Sequence, residues 1–228
     1  MIRVLTACEV SGVVRRAFAA KGYDAWSCDL MPSDDNSDHH IQDDIRKIFR
    51  GEFVSVQQNT GRADEIKFSS FDLIIAFPPC DDLAGSGARW FEKKRLNGSQ
   101  QKSIDFFMEF VNYQKLTDVP MCIENPVGIM SSIYRKPDQI IQPYNFGHRV
   151  TKKTCLWLFD LPLIEGSGVP GPPRTPEEKR EYARTQHLHP PGPDRKKNRS
   201  RTYEGIAEAM TVYGEIIQKR KSFIKKNS

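Results

Sequence analysis

A chain of 228 residues is long enough for one sizeable core, or a core with an appendage. With 38% hydrophobic and 28% charged residues it reads as a folded, soluble protein, and no apolar run approaches the ~20 residues of a membrane span. A net charge of +5 permits contact with phosphates without requiring it; five scattered cysteines with no CxxC pair argue for reduced thiols in a cytoplasm rather than a disulfide framework.

Arg3-Val4-Leu5-Thr6-Ala7-Cys8 patterns as a first strand and not as a signal peptide. The turn Glu9-Val10-Ser11-Gly12 leads into a helix over Val13 to Ala20, ended by Gly22, and Tyr23 to Cys28 makes a second strand closing on Asp29. In such a β-α-β unit the N–H groups at the helix start can hold an anionic ligand end, and an acid at the next strand tip can accept from ribose hydroxyls. The full GxGxxG spacing is absent, so a dinucleotide is disfavoured. On these residues alone, a nucleoside-type cofactor and an ordinary packing unit stand equal.

Asp34 to His40 reads as a polar loop, and His39-His40 has no second ligand at helical spacing, so no metal is expected. Asp43-Asp44-Ile45 precedes a short helix, where acids suit the helix start. Gly51 to Ser70 is polar and weakly patterned, a surface excursion. Phe71 to Ala76 then suits a central strand buried on both faces, stopped by Pro78-Pro79. That places Cys80 just beyond a carboxyl end, where open α/β sheets carry ligands and chemistry, although inert burial is the commoner role of a cysteine.

Asp81 to Ala88 is a small-residue loop, expected to be mobile or ligand-shaped. Ser103 to Leu116 is an amphipathic helix with Ile104, Phe107, Met108 and Val111 on one face. Val119 to Ile123 is another short strand, with Glu124-Asn125-Pro126 at its tip. Two apolar strands therefore each end beside proline on a reactive group, and in a parallel sheet both tips share an edge. Glu124 has a bland alternative, capping a helix over Val127 to Tyr134. Thr154 to Phe159 is a further strand, preceded by the basic stretch Arg149 to Lys153. Gly166 to Pro173 reads as a linker, and Thr175-Pro176-Glu177-Glu178 as a capping box opening a helix to about Thr185. Tyr203 to Ile217 is the last helix and Lys219 to Ser228 a frayed basic tail. The clusters Arg195-Lys196-Lys197 and Lys219-Arg220-Lys221 read first as solvated faces.

Taken together these stretches resemble the DNA cytosine-5 methyltransferase family, especially its short phage-type members. Pro78-Pro79-Cys80 looks like the nucleophile motif, with Ser86 at the usual distance beyond, and Glu124-Asn125-Pro126 is similar to the Glu-Asn-Val motif. Cys8-Glu9-Val10-Ser11-Gly12 resembles the cofactor loop, Asp29 the acid that follows, Asp44-Ile45 the third cofactor element and Gly205-Ile206-Ala207 the late cofactor-side motif. Phe146-Gly147 opens what resembles the basic motif. Three features depart from the family pattern. Asp81 stands where Gln or Asn is usual, Val150 to Thr154 is a lysine-bearing version of Gln-x-Arg-x-Arg, and only Leu161 to Arg201 is available for target recognition.

The resemblance implies a Rossmann-like α/β methyltransferase fold, a mixed, mostly parallel sheet with helices on both faces. It divides the chain into a catalytic core at 1–160, a reduced target-recognition or linker segment at 161–201, a C-terminal helix completing the core at 202–220 and a basic tail at 221–228. It implies S-adenosylmethionine as cofactor, held by Cys8, Glu9, Val10, Ser11, Gly12, Asp29, Leu30, Asp44, Ile45, Pro78, Ile206 and Ala207. It implies DNA as partner, contacted by Ser86, Arg89, Arg149, Lys152, Lys153, Arg199 and Arg201, with the target cytosine flipped out, in the cytoplasm of a bacterial or phage-infected cell. Cys80 as thiolate would add to cytosine C6 while Glu124, protonated, donates to N3. The thiolate then needs a cation, from Arg89 or from Arg149 to Lys153, and Glu124 a low-dielectric pocket. The alternatives are a silent methyltransferase fold binding nucleic acid or a partner protein, and a methyltransferase acting on another nucleobase or nucleotide. Amino-directed transfer is disfavoured, because Phe77 precedes the prolines and Cys80 follows them.

Overall fold

Side chains that alternate between two buried faces along several strands require cover on both sides of a sheet. The computed structural model describes residues 1–57, 63–187 and 200–227. In chain order it forms β1 (Arg3–Ala7), α1 (Val13–Ala20), β2 (Asp24–Asp29), β3 (His40–Gln42), α2 (Ile45–Phe49), β4 (Val54–Gln57), β5 (Ala63–Ile66) and β6 (Leu73–Ala76). There follow α3 (Phe91–Leu96), α4 (Ser99–Thr117), β7 (Met121–Pro126), α5 (Met130–Ile133), β8 (Gln139–Ile141), β9 (Thr154–Phe159), α6 (Pro176–His187), α7 (Glu204–Met210) and α8 (Val212–Asn227). The strands make one nine-stranded mixed sheet in the order β5-β4-β3-β2-β1-β6-β7-β9-β8. β3, β2, β1, β6 and β7 run parallel, and the outer pairings are antiparallel.

Leu5 and Ala7, Ile74 and Ala76, Met121 and Ile123, and Cys155 and Trp157 enter one core with Phe107, Phe110 and Val111 of α4 and Ile45 and Ile48 of α2. The intervening Val4, Leu73, Ile75, Cys122, Leu156 and Leu158 enter a second core with Val13, Val14 and Phe18 of α1 and Ile206, Ala207, Met210, Tyr213 and Ile217 of α7 and α8. Sequence order reverses across β1: the chain passes through α1 to β2 on one side, whereas β6 lies on the other. The crevice beyond the carboxyl ends of β1 and β6 is the switch point at which open α/β sheets take ligands. No helix among the described residues is long and apolar enough to cross a membrane.

Several expectations are corrected. The excursion from Gly51 to Ser70 contains β4 and β5, an antiparallel extension of the sheet in which Val54 and Val56 are buried. His40 is a buried β3 residue rather than loop, its ring bonded to Ser27 Oγ at 2.8 Å and to the Met31 carbonyl at 2.9 Å. The polar stretch before Ser103 already carries α3 and the first turn of α4. The loop after Cys80 tightens into a 3-10 helix at Gly85–Trp90. The helix expected from Val127 shrinks to Met130–Ile133, because the chain before it is spent on backbone pairing with the Leu83-Ala84 loop. The last helix breaks at Thr211, and its second part runs through the basic tail to Asn227 instead of fraying at Lys219.

Candidate active site

β6 and β7 pair in parallel, with Ala76 opposite Ile123, so the residues that follow each leave the pairing at the same edge. Phe77-Pro78-Pro79-Cys80 ends β6, while β7 continues through Glu124 to Pro126 by pairing with β9. Asn125 Nδ2 donates to the Pro78 carbonyl at 2.8 Å, which ties the two tips together. Beyond them the loops are knitted: the Leu83 and Ala84 N–H groups donate to the Cys80 carbonyl, Gly85 N–H to Val127, and Ile129 N–H to Leu83, all at 2.9–3.0 Å. Only glycine fits at 128, since a Cβ there would lie 2.0 Å from the Leu83 carbonyl oxygen.

Cys80 and Glu124 are both partly buried, and the Glu124 charge acts on the Cys80 thiol. Burial, then Glu124 and Asp81, push the Cys80 thiol up to about 11, and Lys152 pulls it down. Burial also holds the Glu124 carboxyl above its usual range, opposed by Lys152 and by a hydrogen bond to Thr154. Lys152 therefore acts on both groups, which selects it from the cations expected near the thiol. Its backbone N–H donates to Gln142 Oε1 at 3.0 Å, and its ammonium lies 6.0 Å from the Tyr203 ring centre. Arg89, the other expected source, lies exposed over the Trp90 ring at 5.2 Å. The burial expected around Glu124 is present, whereas the Cys80 thiol is raised rather than lowered.

The turn after β1 is the second half of the site. Cys8 holds a left-handed conformation at φ 59°, and its thiol is raised by burial and then by Asp29, Cys28 and Asp44, so the carboxyl ends of β2 and β3 both bear on it. Gly12, at φ 63°, stands at the N-cap of α1. Glu9 turns inward: its carboxylate accepts from Val14 N–H at 2.7 Å, Arg15 N–H at 3.2 Å and Ser11 Oγ at 3.2 Å. The Val10 carbonyl accepts from Asp34 N–H at 2.9 Å. Asp29 is partly buried and burial raises its carboxyl, although it accepts from Met31 N–H at 3.0 Å. Leu30 beside it is 70% exposed. Asp44 caps α2 through Arg46 N–H at 3.0 Å and pairs with the Arg46 guanidinium.

Three of the expected residues turn away from this edge into the cores. Ile45 lies in the α4-side core, and Ile206 and Ala207 in the α1-side core, so these three act through packing. Pro78 is buried in the tip of β6. Ser86 is exposed on the 3-10 turn. Arg149 faces Glu181 at 3.6 Å, Arg201 pairs with Asp34 at 3.1 Å, and Lys153 is exposed. Arg199 lies outside the described residues.

Four contributors escaped the sequence reading in whole or in part. Thr154 reaches Glu124 because β9 runs antiparallel beside β7, with Leu156 opposite Glu124 and Thr154 opposite Pro126 on the same face. Lys94 and Gln100 hold the loop after Cys80, through an ion pair to Asp82 at 3.0 Å and a hydrogen bond to its carbonyl at 3.1 Å. Asn125 was read only as part of a motif, and the tie it makes depends on the parallel register. Among the described residues no group of His, Cys, Asp or Glu is placed to hold a metal ion. No family model matches the chain, and no curated protein matches it significantly.

Proposed function

We propose that this chain is a Rossmann-like, S-adenosylmethionine-dependent methyltransferase that acts on C5 of cytosine in DNA through a covalent adduct with Cys80. The observation that carries the reading is the tied pair of tips: a thiol and a carboxyl raised by burial, on adjacent parallel strands, with one lysine acting on both. Cytosine C5 is a weak nucleophile, and the pair supplies what activates it. Cys80 Sγ adds to C6 while Glu124 gives its proton to N3, which leaves C5 electron-rich. After C5 is alkylated, its proton passes to solvent, the Sγ–C6 bond breaks to return the thiolate, and N3 returns its proton to Glu124.

The turn after β1 and the tips of β2 and β3 fit a nucleoside methyl donor. Asp29 offers an acceptor for ribose hydroxyls, Leu30 an apolar surface for a purine face, and Asp44 an acceptor at the next tip. Bound there, S-adenosylmethionine supplies an electrophilic methyl group. The chain's own task is to present C5 to it and keep Cys80 within reach of C6. A base inside a duplex is inaccessible to Cys80, so the substrate is an extruded or single-stranded cytosine.

A catalytically silent nucleic-acid binder is the second reading, and the high pKa of the Cys80 thiol favours it. Incubation with S-adenosylmethionine and DNA containing 5-fluorocytosine separates the two, since fluorine at C5 blocks release. The methyltransferase reading expects a denaturation-resistant adduct on the Cys80 peptide, none with Cys80→Ala, and a rate lowered roughly 100-fold or more with Glu124→Gln. Failure to form an adduct on any duplex, mismatched or single-stranded DNA would sink it.

A further inference from the structure

In nucleotide-binding β-α-β units the first helical N–H groups and a nearby basic side chain hold the phosphate. In this chain both kinds of group are already engaged from within. The carboxylate of Glu9, only 5% exposed, takes the Val14 and Arg15 N–H groups of α1 on its two oxygens at 2.7 and 3.2 Å. Ser11 Oγ accepts from the Val13 N–H at 3.4 Å. The guanidinium groups of Arg15 and Arg16 converge on one carboxylate, Asp35, which also accepts from Ser33 Oγ. Arg16 donates in addition to the Ser11 carbonyl at 3.0 Å. This cluster lies directly against the turn: a Cβ on Gly12 would meet Arg15 Nη2 at 2.7 Å and Asp35 Oδ2 at 2.8 Å. Arg15 Nε is buried without a hydrogen-bond partner, so it is not presented at the turn.

We propose that Glu9 and Asp35 close the turn after β1 to phosphate, so that the nucleoside taken at this edge is one whose 5′ arm carries none. The inference rests on the nucleoside-cofactor reading above and narrows it. Two carboxylates offset two guanidinium groups at the turn, and the helix N-terminus is filled by a charge of the sign a phosphate would bring. A phosphorylated arm would have to displace Glu9 from its N–H partners or approach Asp35 with like charge. A thioether or sulfonium arm meets neither obstacle. The chemistry thus selects sulfur-linked adenosines over adenosine phosphates and dinucleotides.

Calorimetry on the full chain, with S-adenosylhomocysteine and ADP as probes, tests this. The wild type is expected to bind S-adenosylhomocysteine at least about 100-fold more tightly than ADP, a gap of about 2.7 kcal/mol. Glu9→Ser, which empties the helix N-terminus, and Asp35→Asn, which frees the two arginines while keeping the helix cap, are each expected to raise the affinity for ADP relative to S-adenosylhomocysteine about tenfold or more. Asp35→Asn decides the matter if Glu9→Ser fails to fold. Wild-type affinities for the two probes within about threefold of each other would overturn the proposal while leaving the cofactor site standing. Rejection of ADP that persists in both variants would overturn the roles given to Glu9 and Asp35. Silence toward both probes would remove the nucleoside site itself, and the methyl-donor reading with it.

Discussion

The proposed chemistry asks for Cys80 as a thiolate and Glu124 as a neutral acid, two demands that bear on each other because the Glu124 charge acts on the sulfur. The Glu124 charge is among the causes that raise the Cys80 thiol, so protonating Glu124 removes that contribution and brings the thiolate closer. Lys152 then weighs only on the sulfur, and an incoming substrate that buries the site further favours the neutral acid. The thiol at about 11 sets a measurable baseline. Alkylation of the Cys80 peptide by iodoacetamide is expected to climb with pH beyond 9 without reaching a plateau there. Lys152→Met removes the cation and should slow alkylation at pH 8.5 by roughly threefold or more, whereas Glu124→Gln removes a negative neighbour and should speed it, one pKa unit being a tenfold change in thiolate. Equal rates in all three proteins would show that Lys152 and Glu124 do not act on the sulfur. The same carboxyl has a signature in stability. Its folded pKa lies above the unfolded value, so the native state holds the extra proton and stability falls as pH rises through that window. Glu124→Gln is therefore expected to raise the melting temperature by a few degrees at pH 8, with the gain vanishing near pH 4. A gain of the same size at both pH values would mean that packing, not ionisation, is responsible.

Between residues and fold, what positions the pair is the bridge between the loops that follow β6 and β7. Ala84 and Gly128 pair directly, with the Gly85–Val127 and Ile129–Leu83 hydrogen bonds on either side. Gly128→Ala would drive a methyl group into the Leu83 carbonyl and part the loops. The expected cost is about 1–3 kcal/mol, and adduct formation should fall much further than stability, because the thiol and the carboxyl lose their common support. Gly98→Ala is the control. It meets open space at φ 75°, so it costs about 1 kcal/mol of strain and leaves adduct formation near wild type. Both variants losing activity in proportion to stability would reduce the bridge to ordinary packing. Elements of this size were unevenly legible. β6 and β7 announce themselves through apolar runs stopped near proline, and the capping box at Thr175 forms with both reciprocal bonds, at 3.2 and 3.1 Å. The bridge did not, since nothing in Leu83-Ala84 or Val127-Gly128 encodes a partner some forty residues away. β5 and β8 are short and peripheral, and polar or exposed residues such as Asp64, Glu65 and Ile140 hide the two-residue alternation. The direction of β9, and with it the contact of Thr154 with Glu124, is a property of the assembled sheet.

At the scale of the whole molecule two cores share one sheet, and the second is closed by residues from the far end of the sequence. Ile206, Ala207, Met210, Tyr213 and Ile217 of α7 and α8 are buried against α1 and the strands that carry the candidate site. Gly205 N–H donates to His148 Nε2 at 3.1 Å, which fastens the same end to the segment leading into Lys152. The apolar spacing of these residues was readable, but which face they covered was not, because both faces of the sheet need cover and periodicity does not choose between them. The placement makes the end of the chain a test of how the site is held. Ending the chain at Tyr203 exposes four large side-chain positions' worth of core at roughly 1.5–3 kcal/mol each, close to the whole stability of about 5–15 kcal/mol of an ordinary domain. Such a truncation should lose cooperative unfolding, and with it all binding of S-adenosylhomocysteine. Ending the chain at Lys221 removes only the last turns of α8, where Phe223 and Ile224 are 69% and 63% exposed. It keeps the ion pairs of Arg220 with Asp160 and Lys221 with Asp72, so its melting temperature should stay within about 2 °C of the full chain. Urea unfolding of the two truncations distinguishes the cases. A cooperative transition in the chain ended at Tyr203 would mean that the sheet and α1 hold the candidate site without the C-terminal helices, and the second core would then be an accessory to the site rather than its support.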